Sequence, residues 1–135
     1  MSMIGEAERK AQNRVIALLT DGTTGLGWRY LGDWQKRPKK TGKDNANIEE
    51  DLLRPWLLSR GYAPEVVTQA ITRLQRGSRM EGVKLYEANK AFYDMLRYGV
   101  AVAPGPGEAP VTVHFVDWSD PSANDLGVAE EVAVK

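Results

Sequence analysis

Apolar positions recur along the first hundred residues at helical spacing. Ala11, Val15, Leu18 and Leu19 fall at i, i+4, i+7 and i+8 within residues 8–20, while Glu8, Arg9, Gln12 and Arg14 point elsewhere, so an amphipathic helix is predicted there. Asp21-Gly22 stops it. Residues 27–31 are short and aromatic, with Trp28 and Tyr30, and suit a strand that turns into a loop at Gly32, Asp33 and Trp34. A second helix is predicted from an Asn47 N-cap, with Glu49, Glu50 and Asp51 at the positive end of its dipole and Ile48, Leu52, Leu53, Trp56 and Leu57 as its buried stripe. Gly61 ends it. Pro64 opens a third helix that buries Val67, Ala70, Ile71 and Leu74 and breaks at Gly77-Ser78. A fourth, about 83–97, buries Leu85, Ala88, Phe92, Met95 and Leu96, and Gly99 closes it.

The pattern then changes period. Residues 100–103 form a short apolar run, 104–110 a Pro/Gly turn, and 111–117 alternate, with Val111, Val113 and Phe115 on one face and Thr112, His114 and Val116 on the other. A loop over 117–125 leads to a terminal strand carrying Val128, Val132 and Val134. An antiparallel meander is the simplest pairing. The expected fold class is α+β: about four helices over roughly 8–99, followed by a small, mostly antiparallel sheet over roughly 100–135. The terminal strand has no partner downstream, and an unprotected edge is rare in chains that fold alone. The 135 residues are therefore expected to be the front part of something larger.

Composition narrows the chemistry. The chain has no cysteine and one histidine, which removes disulfides and thiolate metal sites and leaves little from which to build a His-based metal site or a serine-type triad. Carboxylate chemistry remains. No run of 18 apolar residues and no signal-peptide pattern occurs, so a soluble, intracellular protein is expected. The net charge of zero hides an asymmetry: residues 1–97 carry 17 Lys and Arg against 12 Asp and Glu, and the rest carry 1 against 6. A basic front can face a polyanion.

Five candidate features can be weighed. Gly22, Gly25 and Gly27 mimic a phosphate loop but follow a helix and precede a strand, the reverse of a dinucleotide fingerprint, and no P-loop motif is present. His114 lacks a second ligand and reads as a surface or cross-strand residue. Glu49 and Glu50 either complement the helix dipole or project one carboxylate toward a Mg²⁺ site completed elsewhere, as accessory candidates. Lys36, Arg37, Lys39, Lys40 and Lys43 either form a solvated loop or track DNA phosphates. Asp117 and Glu131 have a separation suggestive of PD-(D/E)xK nucleases, in which two carboxylates and a lysine converge on Mg²⁺ and the attacking water. Glu131 is followed by Val132 and Ala133, however, and Lys135 overshoots the lysine position by roughly 7 Å along a strand. The catalytic triplet is absent.

Five blocks in order carry a resemblance: Glu8-Arg9-Lys10-Ala11-Gln12-Asn13-Arg14-Val15-Ile16, Tyr30-Leu31-Gly32-Asp33-Trp34, Asn47-Ile48-Glu49-Glu50-Asp51-Leu52-Leu53, Leu85-Tyr86-Glu87-Ala88-Asn89-Lys90 and Leu96-Arg97-Tyr98-Gly99-Val100. Val113-His114-Phe115-Val116-Asp117-Trp118 and Asn124-Asp125 continue it. Together they resemble the N-terminus of the R subunit of type I restriction enzymes. The resemblance implies an ATP-dependent DNA translocase and endonuclease, built from a PD-(D/E)xK nuclease domain, two RecA-like motor domains and a helical region that docks on the methyltransferase and specificity subunits. It implies a prokaryotic, cytoplasmic setting, with Mg²⁺ and ATP as cofactors of the whole enzyme and none for this chain alone. The family's catalytic Asp and Glu-x-Lys lie just after the segment resembling Val128 to Val134. Residues 1–135 would thus be an incomplete nuclease domain that does not cut DNA by itself. The alternative is a stand-alone, non-catalytic module that binds DNA or the other subunits.

Overall fold

The computed structural model describes residues 5–35, 48–79 and 84–132. Its elements are α1 (Glu6–Thr20), β1 (Arg29–Asp33), α2 (Glu50–Ser59), α3 (Pro64–Gly77), α4 (Leu85–Tyr98), β2 (Val100–Val102), β3 (Val111–Val113), a 3₁₀ turn (Pro121–Ala123) and β4 (Gly127–Glu130). The fold class is α+β, with four helices as expected. The strands form two separate ladders: β2 pairs antiparallel with β3, and β1 pairs parallel with β4. The terminal strand therefore does not extend a meander from β3. The chain divides into two compact units, residues 1–47 with 125–135, and residues 48–124. Parallel neighbours need a long crossover. Here that crossover contains the whole second unit.

In the first unit, Arg29, Tyr30, Gly32 and Asp33 of β1 stand opposite Gly127, Val128, Ala129 and Glu130 of β4, with a register irregularity between Tyr30 and Gly32. The Trp34 N–H extends the ladder to the Glu130 carbonyl, and Trp34 is buried. Helix α1 packs on both strands, but not through the predicted stripe. Val15 and Leu18 are 52% and 59% exposed, whereas Arg9, Gln12, Ile16 and Leu19 are half-buried. The reason is polar. Arg9 donates to Glu130 Oε1 at 2.8 Å and Gln12 donates to Glu131 Oε1 at 3.3 Å, so partners on and just beyond β4 turn a mixed face of the helix inward. Glu130 also accepts the Tyr30 hydroxyl at 2.5 Å. That hydrogen bond, with desolvation behind it, holds the Tyr30 hydroxyl above its ordinary pKa.

The second unit has the larger core. Leu57, Val66, Val67, Ala70, Ile71, Leu74, Val100, Val102, Val113 and Phe115 are all buried. Helix α3 is its centre, because it contacts α2, α4, β2 and β3, and all four of its predicted inward residues are buried. Helix α2 begins later than predicted, with Glu49 as its N-cap residue. Asn47 lies outside the described residues. Gly61 follows α2 at φ +94 and Pro64 is the first residue of α3, as the sequence indicates. Helix α4 half-buries Ala88, Phe92, Met95 and Leu96, but Leu85 is 77% exposed in its first turn. Strand β3 ends at Val113, so His114 sits beyond the ladder rather than within a strand. Phe115 still turns into the core.

Candidate functional site

An open cleft of about 370 Å³ in the second unit is lined by Trp56, Arg60, Tyr62, Arg97, His114, Val116, Asp117, Trp118 and Ser119. Its residues come from four places in the sequence. Trp56 and Arg60 bracket the C-terminal turn of α2, and their i, i+4 spacing puts the Arg60 guanidinium carbon 5.5 Å from the Trp56 ring centroid. Arg97, in the last turn of α4, stands 5.7 Å from the Trp118 ring centroid. Each indole is fixed at its N–H: Trp56 donates to the Ala123 carbonyl at 3.0 Å and Trp118 to the Leu96 carbonyl at 3.1 Å. The second bond also satisfies a carbonyl at the end of α4, where helical partners run out. Tyr62 accepts the His114 backbone N–H at 3.1 Å.

The segment 117–124 is held by its own side chains. Asp117 Oδ1 accepts the N–H groups of Ser119 and Asp120, and Oδ2 accepts from Arg60 at 2.6 Å. Asn124 Oδ1 accepts the Asp117 N–H at 2.8 Å, and Nδ2 donates to the carbonyls of Asp117 and Pro121. The Asp120 N–H, then the nearby Arg60 charge, holds the Asp117 carboxyl below the usual carboxylate range against the opposing effect of burial. Asp117 is thus an ionised turn anchor. Arg60 is its ion-pair partner. Among the described residues Arg97 has no carboxylate partner, and its guanidinium lies over the Trp118 ring.

The other sequence candidates take different positions. Glu49 and Glu50 stand at the start of α2, where Glu50 pairs with Arg54 at 3.4 Å across one helical turn. Lys36, Arg37, Lys39, Lys40 and Lys43 lie outside the described residues, as does Lys135. Asp117 belongs to the second unit and Glu131 to the first. Glu131 has a left-handed φ of 55° at the end of β4 and accepts from Gln12. The Gly22–Gly27 segment is not a free phosphate cradle, because the N–H groups of residues 23–27 are already used. Gly25 and Gly27 donate to the Asp21 carbonyl, Leu26 to the Leu18 carbonyl, and Thr23 and Thr24 to the Asp21 carboxylate.

One Glu-x-Lys does occur, at Glu8-Arg9-Lys10, but on α1. Residues two apart on a helix face away from each other, whereas on a strand they share a face. It cannot converge on a metal as the strand-borne version does. Among the described residues no group of three or more His, Asp or Glu side chains could hold a metal ion. A second concavity in the first unit, between α1 and β4, is lined by Ala11, Val15, Ile16, Val128 and Ala129 with Glu8, Gln12, Glu130 and Glu131, of which Gln12, Glu130 and Glu131 are engaged in the α1–β4 contacts described above.

A family model described as the type I restriction enzyme R protein N terminus matches residues 7–135. The chain belongs to that family. Neither curated proteins nor solved structures give a significant match. Membership places both units in the N-terminal region of a type I R protein, a component of a restriction enzyme, and the resembling blocks at 8–16, 30–34, 47–53, 85–90, 96–100, 113–118 and 124–125 all fall inside the matched span. The structure gives several of these R-protein blocks local roles. Asp117, Trp118 and Asn124 build the turn and one wall of the cleft, Leu96 to Val100 ends α4 and enters β2, and Asp125 pairs with Arg29 at 2.9 Å within the first unit. Among the described residues, no helix of the R-protein chain is long and apolar enough to cross a membrane.

Proposed function

We propose that the chain is the opening portion of the R subunit of a type I restriction enzyme, an ATP-dependent DNA translocase and endonuclease, and that by itself it does not cut DNA. The observation that carries this reading is the family match, which runs from residue 7 to residue 135. The sequence supports the second half of the proposal: Glu131 has no lysine two residues on, and Asp117 is committed to Arg60 and to its own turn. In the whole cytoplasmic enzyme Mg²⁺ and ATP would be the cofactors, and the partners would be DNA and the methyltransferase and specificity subunits. Lys36, Arg37, Lys39, Lys40 and Lys43 would contribute phosphate contacts, with Glu49 or Glu50 as an accessory carboxylate of the nuclease site.

The second reading, a non-catalytic module that binds DNA or the other subunits, is favoured by the preformed aromatic and guanidinium cleft. The gene separates the two. A frame that runs past the Lys135 codon into an Asp and a Glu-x-Lys supports the R-subunit opening, and a stop codon supports the module. For the absence of cutting, the purified chain is incubated with plasmid DNA and Mg²⁺. The plasmid should stay intact. Mg²⁺-dependent cleavage that persists through successive purification steps would overturn that part of the proposal.

A further inference from the structure

One face of α4 carries an alternation of aromatic and cationic residues that no core requires. Tyr86, Lys90, Tyr93 and Arg97 fall at i, i+4, i+7 and i+11, within one narrow arc of the helix, and all four are exposed. Tyr86 is 76% exposed and Tyr93 55%, so these rings are not packing residues that happen to graze the surface. The stripe is about 16 Å long by helical rise. Lys90 makes only an exposed pair with Asp94 at 3.3 Å, the kind that salt screens and that leaves the ammonium available. At its C-terminal end the stripe runs into the cleft, because Arg97 belongs to both.

The two features meet the same chemical need. A single strand of nucleic acid offers π-faces and phosphates in alternation, and proteins hold it by stacking bases on aromatic rings beside cations. A duplex hides its base faces and has little use for exposed tyrosines. The cleft adds rigidity: both tryptophans are pinned through their indole N–H groups, each under a guanidinium, so the ring faces are set before anything binds. Its volume falls within the usual range for small-ligand pockets. We infer that α4 and the Arg97–Trp118 cleft bind an unpaired DNA strand, with bases stacking on Tyr86, Tyr93 and Trp118 and phosphates meeting Lys90 and Arg97. This rests on the R-protein reading for the choice of DNA as the polymer.

The test measures binding of the whole chain to a fluorescein-labelled dT oligonucleotide and, separately, to a duplex, with thymidine monophosphate as competitor. The wild-type chain should bind the single strand with quenching of tryptophan emission. Arg97→Ala and Trp118→Ala should each weaken it about tenfold. Trp118→Phe, which keeps a ring, should retain most of the affinity while losing the quench. Arg97 is exposed, so its alanine variant should fold even if the Trp118 variant does not. Single-strand affinity unchanged by Arg97→Ala and Tyr93→Ala, or a mononucleotide that binds as tightly as the oligonucleotide, overturns the inference and leaves the R-protein reading intact. Failure to bind the single strand at all likewise overturns the inference, while the R-protein reading, which rests on the family match, stands.

Discussion

Replacing Gly99 by alanine is expected to cost the second unit at least about 3 kcal/mol, a sizeable part of the roughly 5–15 kcal/mol that holds a domain together. Two independent penalties add. Gly99 ends α4 at φ 81°, ψ −175°, a region open in practice to glycine alone, where another residue costs about 1–3 kcal/mol. A Cβ there would also stand 2.5 Å from the Val113 carbonyl oxygen, 3.1 Å from His114 Nδ1 and 3.2 Å from Thr112 Cγ2. The carbonyl is backbone of β3 opposite Val100, so it cannot retreat without opening the β2–β3 pairing. Gly61 supplies the control. It too has positive φ, at 94°, but a Cβ would meet nothing within 4 Å, so Gly61→Ala should show the conformational cost without the collision. Urea unfolding followed by tryptophan fluorescence gives both values. A Gly99→Ala loss no greater than that of Gly61→Ala would mean that the close approach of β3 is misplaced.

Charge reversal of the basic run should have the largest effect on DNA binding. Lys36, Lys39, Lys40 and Lys43 changed together to glutamate should reduce duplex affinity at low salt by at least about 100-fold, since every lost phosphate contact forfeits counterion release and the new carboxylates repel the backbone. The run concentrates five of the 17 cations of residues 1–97 into eight positions. It follows β1 directly in sequence and precedes the second unit. Titration of a labelled duplex with the quadruple variant checks it. An affinity within twofold of the unaltered chain would remove the run from any role at DNA.

What could be read from the sequence was local. Pro64, Gly61 and Gly99 act through their own backbone constraints, and α3 has a strong apolar stripe, so these features need no knowledge of distant partners. The β1–β4 pairing was hidden because its partners lie nearly a hundred residues apart and both strands are short. A nearer apolar segment, 111–117, offered a simpler partner. The inward face of α1 was misread because Arg9 and Gln12 turn inward only when Glu130 and Glu131 are there to meet them. The cleft was missed for a related reason. Its residues are scattered over α2, the link to α3, α4 and the segment after β3, and its local signals are modest: the i, i+4 pair Trp56 and Arg60, and Asp117 followed by Trp118 and a Ser-Asp-Pro turn. Glu49 and Glu50 are legible as the acidic start of α2, and the structure adds a partner for Glu50 in Arg54.

We propose that Lys36, Arg37, Lys39, Lys40 and Lys43 hold DNA through its phosphates, contacts that carry no sequence information. The salt dependence of duplex binding tests it most directly, using two duplexes of unrelated sequence and the unaltered chain. The account predicts equal affinities for the two and a log–log slope against salt of about −4, corresponding to four or five neutralised phosphates. No binding at about 50 mM salt, or binding whose strength is indifferent to salt, would contradict it.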